Sequence, residues 1–129
     1  MKLYVILFML CVLCTYAILS ARETPKGKSK PVSFSNDVFP IIKKHCLPCH
    51  AEDSDNPSEL YLESYADLMK GGKHGTPLVP KKGDESIIIQ KLKADPPFGK
   101  QMPLMTKKKL TDEEIEVFKK WIDEGAKKN

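Results

Sequence analysis

Short stretches of apolar residues at helical spacing, Ser, Thr or Asp just before them, Gly just after them and Pro- and Gly-rich segments between predict an all-α fold. Three to five short helices joined by long loops are expected. At 129 residues, with 41% hydrophobic and 29% charged side chains, the chain fits one globular domain.

Residues 1–21 carry Lys2 as their one charge, followed by an apolar run from Leu3 to Leu19. That pattern predicts a secretory signal, and with it export. Leu19-Ser20-Ala21 has a small residue at the cleavage position but a large one two before it, so retention of residues 3–19 as a membrane anchor is the alternative. Arg22, Lys26, Lys28 and Lys30 oppose the orientation an anchor needs, which favours cleavage. Residues 22–32 hold four basic residues, two Pro and a Gly with almost nothing to bury, and are expected to form a flexible basic tether.

The domain is expected over residues 33–129. Phe34, Val38, Ile41, Ile42 and His45 share a helical face, Ser35 to Asp37 offer caps and Pro40 requires a first turn, predicting a helix from about Asp37 to Lys44. Ala51 to Glu59 is polar and turn-rich. Ser64 to Lys70 predicts a short helix ended by Gly71 and Gly72. Asp84-Glu85-Ser86 is expected to cap a helix through Ile87, Ile88, Ile89 and Leu92, although the isoleucine run alone also suits a strand. Ala94 to Lys109, with Pro96, Pro97, Gly99 and Pro103, predicts a loop. Thr111 and Glu114 form a capping box before the stripe of Ile115, Phe118, Trp121 and Ile122, and Gly125 stops that last helix.

So few short helices bury little apolar surface, and a large apolar cofactor at the centre would let the loops pack on it. Without residues 1–21 the chain keeps 20 basic and 17 acidic residues, a net +3, too mild to argue for nucleic acid. No Gly-rich phosphate loop, Ser-His-Asp order or informative carboxylate pair supports hydrolase or transferase chemistry.

Cys46-Leu47-Pro48-Cys49-His50 carries the chemistry. Two thiols three residues apart can share a helical face and reach the two vinyl groups on one haem edge, and His50 can then put an imidazole nitrogen on the iron. One covalent haem c is expected. A thioredoxin-like dithiol needs a strand before the motif, a zinc site needs more ligands than this cluster offers, and a Cys46–Cys49 disulfide would close too small a loop to stabilise much. For the sixth ligand, Met1 and Met9 belong to the signal and Met69 suits a helix core. Met102 is favoured over Met105 because Pro103 fixes its backbone and Gly99 permits close approach. His74, in a Gly-rich loop, is the competing ligand. The basic runs Lys43-Lys44, Lys81-Lys82 and Lys107-Lys108-Lys109 are solvated surface, or, if they ring the haem edge, steer an acidic redox partner.

With these residues in place the chain resembles the planctomycete type of cytochrome c domain, within the class I c-type cytochromes. The likeness rests on Asp37-Val38 with Pro40-Ile41, on Cys46 to His50, Leu60-Tyr61-Leu62, Gly71-Gly72 with Gly75, Pro80 with Ser86, Met102-Pro103, Leu110 to Glu114, Trp121-Ile122 and Gly125-Ala126. It implies a class I cytochrome c-like fold whose first and last helices cross, and it carries the axial role onto Met102. Leu104 in place of a second Pro leaves Met105 open, and Pro77 replaces a smaller residue. The function so expected is a monohaem His/Met electron carrier rather than an enzyme, periplasmic and monomeric, with redox proteins as partners. A haem enzyme or gas-binding module with an open or bis-His iron is the alternative.

Overall fold

Ser33 starts the first helical run by accepting the Asn36 N–H on its hydroxyl, the usual way an orphan amide at a helix start is satisfied. The structure, a computed structural model, describes residues 30–129 apart from Thr106 and Lys108. The expected signal or anchor, and the tether up to residue 29, lie outside the described residues. Pro31–Asn129 forms one compact unit.

The first helix begins earlier than the sequence predicts. A π-turn over Phe34–Val38 leads directly into α1 (Phe39–His45). The wide turn explains how Pro40, which has no N–H, is accommodated: the Phe39 N–H bonds back to the Phe34 carbonyl, and Pro40 then enters the first turn of α1. A short α2 (Leu47–His50) follows at once. After a polar loop, α3 (Tyr65–Lys70) is capped by Ser64, and Gly71, at φ 76°, ends it as expected. A Cβ on the neighbouring Gly72 would lie 2.5 Å from the Ser58 carbonyl oxygen, so that loop packs too closely for any side chain there.

The isoleucine run is helical, as α4 (Ile87–Leu92). Ser86 stands at the expected N-cap position, but its side chain does not cap. Ser86 is fully buried, and its hydroxyl donates to the Lys82 carbonyl and accepts the Val79 N–H instead of an amide of α4. The final helix, α5 (Asp112–Asp123), carries the full capping box between Thr111 and Glu114. The described residues contain no strand beyond a single Gly72–Gly75 bridge, so the fold is helical throughout.

The core lies between the two ends of the chain. Phe34 packs 5.4 Å from Trp121 and edge-on to Tyr65, while Phe118 stacks beside Trp121. Both polar aromatics are satisfied, Tyr65 Oη by the Ala126 carbonyl and Trp121 Nε1 by the Lys127 carbonyl, each at 2.9 Å. At the far end of α1, Lys44 and His45 reach Glu114 on the first turn of α5, at 2.9 and 3.1 Å. The first and last helical segments therefore meet at both ends, running in opposite directions, and His45 is taken up in that junction.

Candidate functional site

The attachment motif folds as one helical turn. The Cys46 carbonyl accepts N–H groups from Cys49 and His50, both at 3.0 Å, and Pro48 sits where a first turn tolerates it. Cys46, Cys49 and His50 are therefore presented together. Cys46 packs against the edge of the core and Cys49 is exposed, both as free thiols. Burial pushes the Cys46 thiol up to about 12. That is opposite to what a nucleophilic redox dithiol requires. No group of three or more potential metal ligands comes together among the described residues.

His50 is oriented by the loop that follows. Its Nδ1 lies 2.8 Å from the Leu60 carbonyl oxygen, which can only accept, so Nδ1 carries a proton and, in the neutral imidazole, Nε2 is the nitrogen with the lone pair. Outer hydrogen bonds of this kind hold a metal-binding imidazole in the correct tautomer. The Leu60 carbonyl also accepts from Asn56 Nδ2 at 2.8 Å, and the Leu62 N–H returns to the His50 carbonyl at 2.9 Å, clamping loop to helix. Two thiols and a lone-pair imidazole nitrogen on one turn are the donor set a covalent haem needs. Sequence reasoning missed the role of Leu60, since a backbone acceptor leaves no mark on residue type.

Met102 lies elsewhere, on the α4–α5 loop. It is half-buried and lines a cavity of about 450 Å³ with Leu92, Leu110 and Ile115, a cavity that none of Cys46, Cys49 and His50 lines. Met105 and Leu104 point outward, 55% and 60% exposed. The rival His74 is exposed and stacks on Phe98 at 4.3 Å between ring centroids. Met69 packs against the core, as the sequence predicts. Gly99 adopts φ +58° beside the Lys91 ammonium.

A family model described as planctomycete cytochrome C matches residues 46–103. The stretch from Cys46 to Pro103 is thus similar to that family. The match opens on Cys46 and closes on Pro103, so Cys46, Cys49, His50 and Met102 all fall within it, and the family implies covalent haem c. Among solved structures, a chain of Kuenenia stuttgartiensis hydrazine synthase is similar, with 26% identity and a TM-score of 0.50 over 78% of this chain. This chain spans 17% of the length of that one. No curated protein matches it. The match supports a c-type cytochrome, and cytochrome c domains are typically exported.

Proposed function

We propose that this domain is a monohaem electron carrier in which Cys46 and Cys49 hold the haem, His50 Nε2 ligates one face of the iron and the Met102 sulfur the other. The single observation that carries the proposal is the hydrogen bond from His50 Nδ1 to the Leu60 carbonyl, which leaves Nε2 free beside the two thiols. Bound haem supplies a one-electron couple. Met102 contributes a neutral, polarizable donor that favours the ferrous state, and a filled sixth position keeps external ligands off the iron. Its half-buried cavity position, against the exposure of Met105 and the stacking of His74, supports Met102 over both rivals.

The protein works as a monomer in the periplasm, freed from its signal or tethered by residues 3–19. No described helix is long and apolar enough to cross a membrane, and residues 3–19 lie outside the described set. Its excess of lysine suits an acidic redox protein as partner. The hydrazine synthase likeness supports a second setting, in which the same electron-transfer domain serves within a larger assembly.

Expression with haem-maturation machinery tests the proposal. One covalent haem per chain is expected, and haem that extracts into acidified organic solvent would overturn it. His50→Ala should abolish the low-spin spectrum. The oxidised wild type should show the far-red sulfur-to-iron band, lost in Met102→Ala and kept in Met105→Ala. The reverse pattern moves the ligand to Met105, and a change seen only in His74→Ala makes the site bis-His.

A further inference from the structure

Lys91 ends in an unusual setting for a lysine. Side chains of this type ordinarily stand in water with their charge solvated. Here Lys91 is half-buried in the last turn of α4, and its ammonium donates to the carbonyls of Phe98 and of Lys100, the latter at 2.6 Å. The same ammonium stands 4.7 Å from the centroid of the Phe98 ring, a cation–π contact. No carboxylate pairs with it among the described residues. Its main chain adds another tie, the Lys91 carbonyl accepting the Met102 N–H at 2.7 Å. Beside it, Gln101 Nε2 donates to the Leu92 carbonyl at 2.6 Å. Phe98, Lys100, Gln101 and Met102 are thus all bound to two consecutive residues of one helix.

A loop with three prolines and a glycine has no ladder of its own to hold it. Hydrogen bonds from a charged donor are the strongest available to such a segment, and Lys91 makes them on the carbonyls four and two residues before Met102. We infer that Lys91 is the positioning residue for Met102: it wraps the loop around its ammonium and so sets where the sulfur stands. The inference rests on the His/Met reading for its consequence at the iron, but the loop geometry stands without it.

The test uses the mature haem protein and the variants Lys91→Met, which keeps length and removes the donors, and Lys91→Arg, which restores charge and donors. Lys91→Met should weaken the far-red sulfur-to-iron band, lower the reduction potential and tighten imidazole binding to the ferric iron about tenfold, the scale of one lost charge-assisted hydrogen bond. Lys91→Arg should recover most of each. A merely stabilising lysine would lower the melting temperature and leave the band, the potential and imidazole binding alone, and that result overturns the inference. Should Lys91→Met fail to mature, Phe98→Leu removes the ring but keeps the carbonyls and should give the same changes in smaller degree; an unchanged band and imidazole affinity there would also overturn it. Hydrogen exchange at the Met102 amide separates the two readings. If Met102→Ala leaves the band intact, Met102 is not the ligand, yet the amide should still exchange about tenfold faster in Lys91→Met; unchanged exchange removes Lys91 as the anchor.

Discussion

Around Trp121, the rings of Phe34, Tyr65 and Phe118 close on one another, and the polar atoms of the tyrosine and tryptophan are satisfied by carbonyls near the chain end. Between Ala94 and Lys109 the described residues form no such cluster, Phe98 meeting only the His74 ring and the Lys91 ammonium. That loop is held by Lys91, by Gln101 on the Leu92 carbonyl and by Lys109 on the Gln101 side chain. Apolar burial is cooperative and non-directional, so it stabilises the whole domain. A few directed hydrogen bonds place one segment and add little to the total. The difference separates stability from tuning: the aromatic end keeps the domain folded, and on the proposed ligation the loop can change the iron's surroundings without unfolding it.

Trp121→Ala should break that comparison most severely. Removing a fully buried indole costs about 3–5 kcal/mol, a large share of the stability of a small domain. Denaturant unfolding of the mature protein should show the loss, and a change under about 1 kcal/mol would mean the aromatic cluster is not the stabilising centre.

A smaller effect is expected where α1 meets α5. Burial opposes ionisation of Glu114, but hydrogen bonds from Lys44, the Thr111 N–H and His45 outweigh it and bring the carboxyl from 4.5 to about 2. A carboxyl whose folded pKa is depressed stabilises the protein above its unfolded value and loses that contribution as pH falls through the folded one. Acid titration should therefore show a loss of stability between pH 4.5 and about 2 that Glu114→Gln flattens, since glutamine keeps the capping box and drops the charge. Parallel acid curves for the two proteins would remove Glu114 from the account.

Gln101→Ala should have the smallest effect on stability, within about 1 kcal/mol, because it removes one neutral hydrogen bond to the Leu92 carbonyl and one solvent-exposed bond from Lys109. It sharpens the comparison through exchange. Amides near Met102 should open faster while those of Phe118 to Ile122 keep their rates. Uniform acceleration across both regions would show that the loop and the aromatic end unfold as one.

Features set by neighbouring residues were legible in the sequence. The capping box of α5, the Gly71 stop and the turn from Cys46 to His50 each follow from residue types a few positions apart. Features made by distant main chain were not. Ser86 suits a cap by type, but its hydroxyl is claimed by Val79 and Lys82 once that segment folds back over it. The π-turn before Pro40 compensates for a missing N–H in a way that composition does not mark. Packing on a cofactor was the only source of order expected for the loop, and nothing marked Lys91 as its anchor, because carbonyl partners leave no trace in a sequence.

The carbonyl of Leu60 receives two donors, His50 Nδ1 and Asn56 Nδ2. A shared acceptor gives each donor a weaker bond than it would give one alone. On the proposed ligation, that limits how far the axial imidazole is drawn toward imidazolate, and so how strongly it pushes electron density onto the iron. On that ligation Asn56 would trim the basicity of His50 from outside the coordination sphere. Selection can adjust the electron affinity of the site at a loop asparagine, leaving the attachment turn and the aromatic core untouched.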